Sequence, residues 1–251
     1  MRYNVKSFID VYGSRIFEKG LVKSIKLDCN FQYDRHSNPT IFGTAYNILF
    51  DYELYRRNFI ESYEPKRLKN KAMNKDFREV IAKIDQRSLL NERDLLLLVK
   101  EENLYRNGNF VVYDMDFKKD EIIAMKDDMR FIYPSIYDFF NEFKTSDKII
   151  DNPYFEYNDY VRHIYGDGDF IINDILFEIK CVSDDSISTK TIKQLYIYKL
   201  LNDYSSRDLK YEINRFGYLN PLKNQVYIWD CDIPESIIRL FKEFIGSEEL
   251  F

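Results

Sequence analysis

Two short apolar runs, separated by Asn173-Asp174, form the clearest hydrophobic pattern in the chain. Both runs are rich in β-branched and aromatic residues, and a two-residue connection of this kind predicts a tight β-hairpin whose turn residues take positive φ. The turn sets the register, so Phe170 is expected to face Phe177. One face of this hairpin is then wholly apolar and suits a core, with Phe170, Ile172, Ile175, Phe177 and Ile179.

The other face of the predicted hairpin carries charged residues. Counting outward from the turn places Asp169 opposite Glu178, with Lys180 next along the same face. Directly opposed Cβ atoms lie roughly 4.5–5.5 Å apart, so the two carboxylates would repel each other. A divalent cation would convert that repulsion into coordination, because Mg²⁺ takes oxygen ligands and usually only one or two protein carboxylates. This combination suits phosphodiester hydrolysis. The simpler alternative is an exposed hairpin face with solvated charges.

Helical and alternating spacings predict the remaining elements. The first strong helix is expected over 41–60, with Thr40 as its cap. Further helices are expected over 5–17, 135–143, 188–204 and 234–245, and strands over 21–31, 110–117, 160–165, 210–218 and 225–229. The sequence therefore predicts an α/β protein with a central mixed β-sheet flanked by helices.

The segment from 61 to 150 is charged and mostly helical. It contains amphipathic stretches around 77–84 and 89–104, and we find no chemical motif in it. We therefore expect one domain spanning 1–251. In it, 61–150 is expected to be a helical insertion between the first core helix and the sheet that contains the hairpin.

Four polar residues form one stripe on the helix predicted after the hairpin, namely Thr191, Gln194, Tyr198 and Asn202. They are spaced by three and four residues, so they lie near one another on the helix surface. Such a stripe can be the solvent face of a core-packed helix.

Composition limits the partners that the chain can take. Its 251 residues are 45% hydrophobic, enough for a full core, and 37 basic against 42 acidic residues give a net charge of −5. This balance argues against a broad electropositive surface, so any nucleic-acid site is expected to be local and assisted by bound metal. The 21 Tyr and 20 Phe could stack on bases, but core and half-buried strand positions are the favoured interpretation.

The three cysteines, Cys29, Cys181 and Cys231, are scattered along the chain. This pattern fits a reduced, cytoplasmic protein, and three thiolates do not supply the four ligands of an iron–sulfur cluster, so no such cluster is expected. The N-terminus lacks a signal pattern, and the longest aliphatic run, 95–99, is too short to span a bilayer. A soluble protein without a membrane partner is expected.

Two motifs frame the predicted hairpin, Gly166-x-x-Asp169 and Glu178-Ile179-Lys180. Together they resemble the first metal-ligand motif and the E-x-K motif of the PD-(D/E)XK nuclease superfamily. That superfamily has a restriction-endonuclease-like fold, whose helix and strand order agrees with the order predicted above.

The resemblance extends to both sides of the hairpin. Downstream, Gln194 and Tyr198 match the Q-x-x-x-Y motif of the RecB-like branch of this superfamily. Upstream, Gly43-Thr44-Ala45 resembles the start of that branch's first helix. The resemblance covers about 165–230 well and the N-terminal helix weakly.

This resemblance implies a nuclease that hydrolyses phosphodiester bonds with Mg²⁺ or Mn²⁺, with DNA expected rather than RNA. The site residues that it implies are Asp169, Glu178, Lys180, Gln194 and Tyr198. Asp169, Glu178 and the backbone carbonyl of Ile179 would hold one or two ions. Lys180 would position the nucleophile and stabilise the developing negative charge, and the two helix residues would approach the metal or the substrate backbone.

Other interpretations stay open. In nucleases of this kind the first helix can supply a further ligand, for which Asp51 or Glu53 would be the candidates, although a solvated helix face is favoured for both. His163 is expected to be structural. The competing hypothesis for the whole chain is a catalytically inactive nuclease-fold module that binds nucleic acid or a protein partner.

Overall fold

A computed structural model describes residues 2–6, 9, 23–26, 36–63, 75–106, 117–143, 149–159, 161–184, 186–205 and 210–246. Within them lie nine strands: β1 (Arg2–Asn4), β2 (Lys23–Lys26), β3 (Ile149–Asp151), β4 (Tyr154–Asn158), β5 (His163–Asp167), β6 (Phe170–Ile172), β7 (Ile175–Ile179), β8 (Arg215–Asn220) and β9 (Gln225–Asp230). The same residues contain six α-helices: α1 (Pro39–Arg56), α2 (Lys75–Asp85), α3 (Glu92–Arg106), α4 (Lys119–Glu142), α5 (Thr189–Tyr204) and α6 (Glu235–Ile245).

A mixed sheet of six strands lies at the centre of the fold, in the order β2-β9-β8-β7-β6-β3. β7 and β8 are parallel, and every other neighbouring pair in this sheet is antiparallel. A parallel pair needs a crossover connection, which α5 provides between β7 and β8. The predicted α/β architecture, a central mixed sheet flanked by helices, is confirmed.

A second sheet of three strands, in the order β1-β5-β4, adjoins the first along the chain. β1 runs parallel to β5, and β4 runs antiparallel to it. The strand predicted over 160–165 is β5, which starts and ends slightly later, whereas β1 and β4 were not predicted. This sheet leads directly into the hairpin, because β5 ends at Asp167 and β6 begins at Phe170.

The hairpin of β6 and β7 has the predicted register, with Phe170 opposite Phe177. Of its two turn residues, Asn173 has a φ of 56°, but the positive φ expected for Asp174 is not found. The Asp174 carboxylate instead binds the guanidinium of Arg215 on β8 at 2.5 Å. The neighbouring strand therefore helps to hold the turn.

Both faces of the hairpin are buried, in two separate apolar clusters. On one face, the Phe170 ring packs against Phe50 of α1 and Phe139 of α4, with centroids 4.7 and 5.7 Å apart. On the other face, Ile171 and Leu176 belong to the cluster built with α5 and α6. The hairpin face that carries the charges is therefore largely buried. The alternative of an exposed face with solvated charges is wrong for Glu178, whereas Asp169 and Lys180 are half-buried.

The first helix, α1, begins two residues earlier than predicted and ends at Arg56. Its N-cap is Asn38, whose side chain accepts a hydrogen bond from the Thr40 N–H at 2.9 Å. The predicted cap at Thr40 is therefore wrong. Asn is a stronger N-cap than Thr, and Pro39 suits the first helical position because its missing N–H needs no partner there.

The segment from 61 to 150 contains α2, α3 and α4 in its described part and runs into the edge strand β3. A short helix over 135–143 was predicted, but α4 has 24 residues. A proline disfavours helical backbone in the residue before it, yet α4 continues through Pro134. The assignment of this segment as an insertion stays a prediction.

The other predicted elements agree with the structure wherever their residues are described. β2, β9, α5 and α6 lie where they were expected, and β8 begins at Arg215 rather than near 210. The helix predicted over 5–17 and the strand predicted over 110–117 fall largely outside the described residues. No helix in the described ranges is long and apolar enough to cross a membrane.

Candidate active site

The two acidic residues meet at the end of the hairpin opposite its turn. The pairing of β6 with β7 ends at Phe170 and Phe177, and Asp169 and Glu178 are the next positions outward. The Asp169 carboxylate accepts a hydrogen bond from the Ile179 N–H at 2.5 Å. This bond fixes the Asp169 side chain at the end of β7, so the structure brings the two acids together as the register predicted.

Glu178 is a buried acid, only 2% exposed. Its Oε1 accepts hydrogen bonds from the Lys180 ammonium and from Gln194 Nε2, the latter at 2.9 Å. Its Oε2 is buried and has no hydrogen-bond partner among the described residues. Because an unpaired buried carboxylate oxygen is costly, this atom is suited to bind a cation.

Helix α5 supplies a chain of hydrogen bonds that ends at Glu178. Gln194 Nε2 donates to the Tyr198 hydroxyl at 2.8 Å as well as to Glu178. The Tyr198 hydroxyl donates in turn to the backbone carbonyl of Asp167 at 2.6 Å. Gln194 and Tyr198 are 3% and 2% exposed, so the solvent-face interpretation of the polar stripe is wrong.

The outer members of the stripe anchor α5 rather than the acids. Thr191 shares a hydrogen bond with the hydroxyl of the N-cap residue Ser188 at 2.8 Å. The Asn202 side chain donates a hydrogen bond to the Tyr211 carbonyl at 2.9 Å and accepts one from the Tyr211 N–H at 2.8 Å. The stripe therefore divides into a central pair, in which Gln194 binds Glu178 and Tyr198 binds Gln194, and two terminal residues that hold the helix in place.

Gly166 leaves the space that the Tyr198 ring occupies. A Cβ at this position would lie 2.9 Å from Tyr198 Cε1 and 3.1 Å from Val5 Cγ2. Both separations are shorter than ordinary van der Waals contacts. A larger residue would displace Tyr198 and, with it, the hydrogen-bond chain that ends at Glu178.

The burial of these groups changes their protonation. Burial, supported by the Asp169 charge and opposed by Lys180, raises the pKa of Glu178 to about 7. Burial lowers the pKa of Lys180, but the charges of Glu178 and Asp169 outweigh it and leave that pKa above its usual value. Burial also raises the pKa of Tyr198 well above its usual range, so its hydroxyl stays a donor. Lys180 is therefore a stable cation, whereas Glu178 can exchange a proton near neutral pH.

Sequence reasoning missed Lys6. This residue follows β1, which pairs with β5 just before the hairpin. The positive charge of Lys6 lowers the pKa of Glu178, so it lies within electrostatic range of the acids. No spacing in the sequence signals this proximity, because it depends on the pairing of two strands that are far apart along the chain.

The first helix adjoins the hairpin, and of its two candidate ligands Glu53 is bound within the helix, while a role for Asp51 stays a prediction. α1 approaches the site at Gly43, where a Cβ would lie 3.8 Å from the Cβ of Cys181. Glu53 is fully buried and bound by Arg56 at 2.6 Å, so it is not part of a solvated helix face.

Two other side chains of chemical interest lie outside the hydrogen-bond chain of the acids. His163 binds Glu156 at 3.4 Å in the small sheet, in agreement with the structural role predicted for it. Burial raises the pKa of the Cys181 thiol well above its usual range, so this thiol stays protonated. A protonated thiol is a poor nucleophile and a poor metal ligand.

Comparison of the chain with protein-family models, with curated proteins and with solved structures finds no significant match. Among the residues that the structure describes, no three His, Cys, Asp or Glu side chains are grouped closely enough to hold a metal ion. The function is therefore inferred from a smaller arrangement: two acids, two lysines and one unpaired carboxylate oxygen.

Proposed function

We propose that this protein is a nuclease that hydrolyses phosphodiester bonds of DNA with the help of Mg²⁺ or Mn²⁺. The observation that carries the proposal is Glu178, a buried carboxylate beside a second acid. Lys180 and Gln194 bind one of its oxygens, and the other has no partner among the described residues. Two adjacent acids have no evident use in a protein that only binds a polyanion, because they repel phosphate.

The residues present fit a hard divalent cation. Mg²⁺ takes oxygen ligands, usually including one or two protein carboxylates, and Asp169 and Glu178 would supply these. Burial and the neighbouring acid disfavour the charged form of Glu178 and raise its pKa, and the charge of a cation would offset both effects. The backbone carbonyl of Ile179 is the third proposed ligand. DNA is the proposed substrate because the motifs resemble those of RecB-like nucleases.

A bound divalent metal would supply a water molecule of lowered pKa and would offset the charge of the attacked phosphate. The protein's own groups would have separate tasks. Gln194 orients the Glu178 carboxylate, and the backbone of β7 fixes Asp169. Lys180 remains charged and would stabilise the negative charge that develops on the phosphate oxygens.

A cleavage assay on single- and double-stranded DNA and RNA, with and without Mg²⁺ or Mn²⁺, tests the proposal. Asp169→Asn keeps an oxygen that can accept the Ile179 N–H but loses the charge, so it should lose metal binding and activity together. Lys180→Ala should lower the cleavage rate by about 10²–10³-fold, as the loss of one preorganised electrostatic contact does elsewhere. Glu79→Gln, at an acid that is 61% exposed on α2, is the matched control and should cleave like wild type.

Metal binding is measured separately, by thermal unfolding. A ligand that binds only the folded state stabilises it by about 2.7 kcal/mol at one hundred times its Kd. With metal added, the Tm of wild type and of Glu79→Gln should rise accordingly, and the Tm of Asp169→Asn should not. Suppose that wild type cleaves no substrate and that metal stabilises wild type and Asp169→Asn equally. The non-catalytic alternative, a module that binds nucleic acid or a protein, would then replace the proposal.

A further inference from the structure

The N-terminal strand brings Lys6 to the edge of the candidate site. β1 runs parallel to β5, with Asn4 opposite Tyr165. The next residue, Val5, is 1% exposed and packs on Gly166, where a Cβ would lie 3.1 Å from Val5 Cγ2. Lys6 follows this buried anchor and is exposed. Its backbone position is therefore fixed by packing, while its side chain remains accessible to solvent.

The same glycine adjoins the hydrogen-bond chain of the acids. The Tyr198 ring lies over Gly166 beside Val5, and the Tyr198 hydroxyl belongs to the chain that ends at Glu178. Lys6 thus leaves the core next to this chain. The positive charge of Lys6 lowers the pKa of Glu178, which agrees with this placement.

The two lysines of the site differ in what binds them. Lys180 is paired with Glu178 inside the site. The ammonium of Lys6 forms no hydrogen bond or ion pair with another residue in the described part of the chain. A phosphodiester that approaches two carboxylates is repelled, and an accessible cation at the edge of the site offsets this repulsion. A lysine is a flexible point charge that suits a phosphate oxygen.

We infer that Lys6 binds a backbone phosphate of the nucleic-acid substrate, beside the phosphate that is hydrolysed. This inference rests on the proposed function, from which the substrate class is taken. Lys6 is then a substrate-binding residue that holds the strand in position, whereas Lys180 acts on the attacked phosphate. Because phosphate contacts carry no sequence information, the contribution of Lys6 is the same for different sequences.

The test compares Lys6→Ala and Lys6→Arg with wild type in binding to single- and double-stranded DNA without divalent metal. Removal of one phosphate contact should weaken binding and make the slope of log affinity against log salt concentration shallower by about 0.7 for single strands and 0.9 for duplex. Lys6→Arg should restore both. Lys126→Ala removes another exposed lysine, on α4, and should match wild type. All variants should keep the wild-type Tm, because both side chains are exposed.

Cleavage with Mg²⁺ gives the second measurement. Lys6→Ala should raise KM several-fold and change kcat much less, since the contact forms on substrate binding. An unchanged salt slope and KM in Lys6→Ala would overturn the inference, even if wild type cleaves DNA. Conversely, a shallower slope in a protein that cleaves nothing would retain the phosphate contact and reject the nuclease proposal.

Discussion

At Glu178, burial and the charge of Asp169 act on the carboxyl group in one direction, and the charge of Lys180 acts in the other. Burial and Asp169 raise its pKa from an ordinary value of 4.5 to about 7, although Lys180 favours the charged form. In the metal-free protein, protonation of Glu178 therefore stabilises the fold fully below pH 4.5, and this contribution is lost as the pH rises through 7. Glu178→Gln cannot ionise, so its Tm should rise relative to wild type across that pH range. Thermal unfolding with a chelator measures this difference.

Glu79→Gln provides the control for this pH series. Its difference from wild type should stay small throughout the series, because the Glu79 side chain is 61% exposed and substitutions at exposed side chains change stability little. If the difference between Glu178→Gln and wild type were constant, Glu178 would be ionised throughout. The pairing with Lys180 would then outweigh the burial of the carboxylate.

At the scale of single residues, contacts within one hairpin are easier to predict than contacts between segments that are far apart along the chain. The meeting of Asp169 with Glu178 follows from one turn and from the alternation of side chains along a strand, so the sequence was sufficient. The burial of Glu178 depends on α5, and the approach of Lys6 depends on β1 pairing with β5. These contacts join segments that no local pattern connects.

Helix α5 illustrates the same limit at the scale of an element. Its extent could be predicted from periodicity, but both Ser188 and Thr189 were possible caps, and the structure uses Ser188. Its polar stripe could not be assigned to solvent or site, because a buried and an exposed stripe look alike in sequence. Helix α4 extends through Pro134, well beyond the predicted 135–143, because a proline favours a helix boundary but does not require one.

Gly43 and Gly166, the first residues of two of the motifs, are expected to respond oppositely to replacement by alanine. Gly43 lies within α1, and a Cβ there would make an ordinary contact of 3.8 Å, so Gly43→Ala should stabilise the protein by roughly 0.5–1 kcal/mol. Gly166→Ala would place a Cβ 2.9 Å from Tyr198 and should destabilise it by about 1–3 kcal/mol. Urea unfolding of the two variants measures both effects.

The functional consequence separates the two glycines further. Gly166→Ala displaces Tyr198, so it should also reduce metal-dependent cleavage, whereas Gly43→Ala should leave cleavage unchanged. Equal stability and equal activity of the two variants would show that the chain from Tyr198 to Glu178 tolerates displacement. The hydrogen bonds of α5 would then have no positioning role.

At the scale of the whole molecule, the sheet is covered on both faces by different helices. One cluster combines the hairpin with α1, α2, α3 and α4, and the other combines it with α5 and α6. From the sequence, α5 and α6 were predicted as core helices, whereas α2, α3 and α4 were assigned to an insertion. Charged amphipathic helices resemble accessory elements when their buried side is not known. The packing instead makes α4 a direct neighbour of the hairpin.

This packing predicts what happens when residues 64–148 are replaced by a short linker. The Phe139 ring lies 5.7 Å from Phe170 and 5.5 Å from Phe177, so the replacement would expose the apolar face of the hairpin. Even the single change Phe139→Ala should cost about 3–5 kcal/mol. Loss of the whole layer should exceed the net stability of a typical domain, about 5–15 kcal/mol. We expect the shortened chain to lose cooperative unfolding in urea and to bind a hydrophobic dye. Cooperative unfolding with metal-dependent cleavage retained would instead establish 61–150 as a separable insertion.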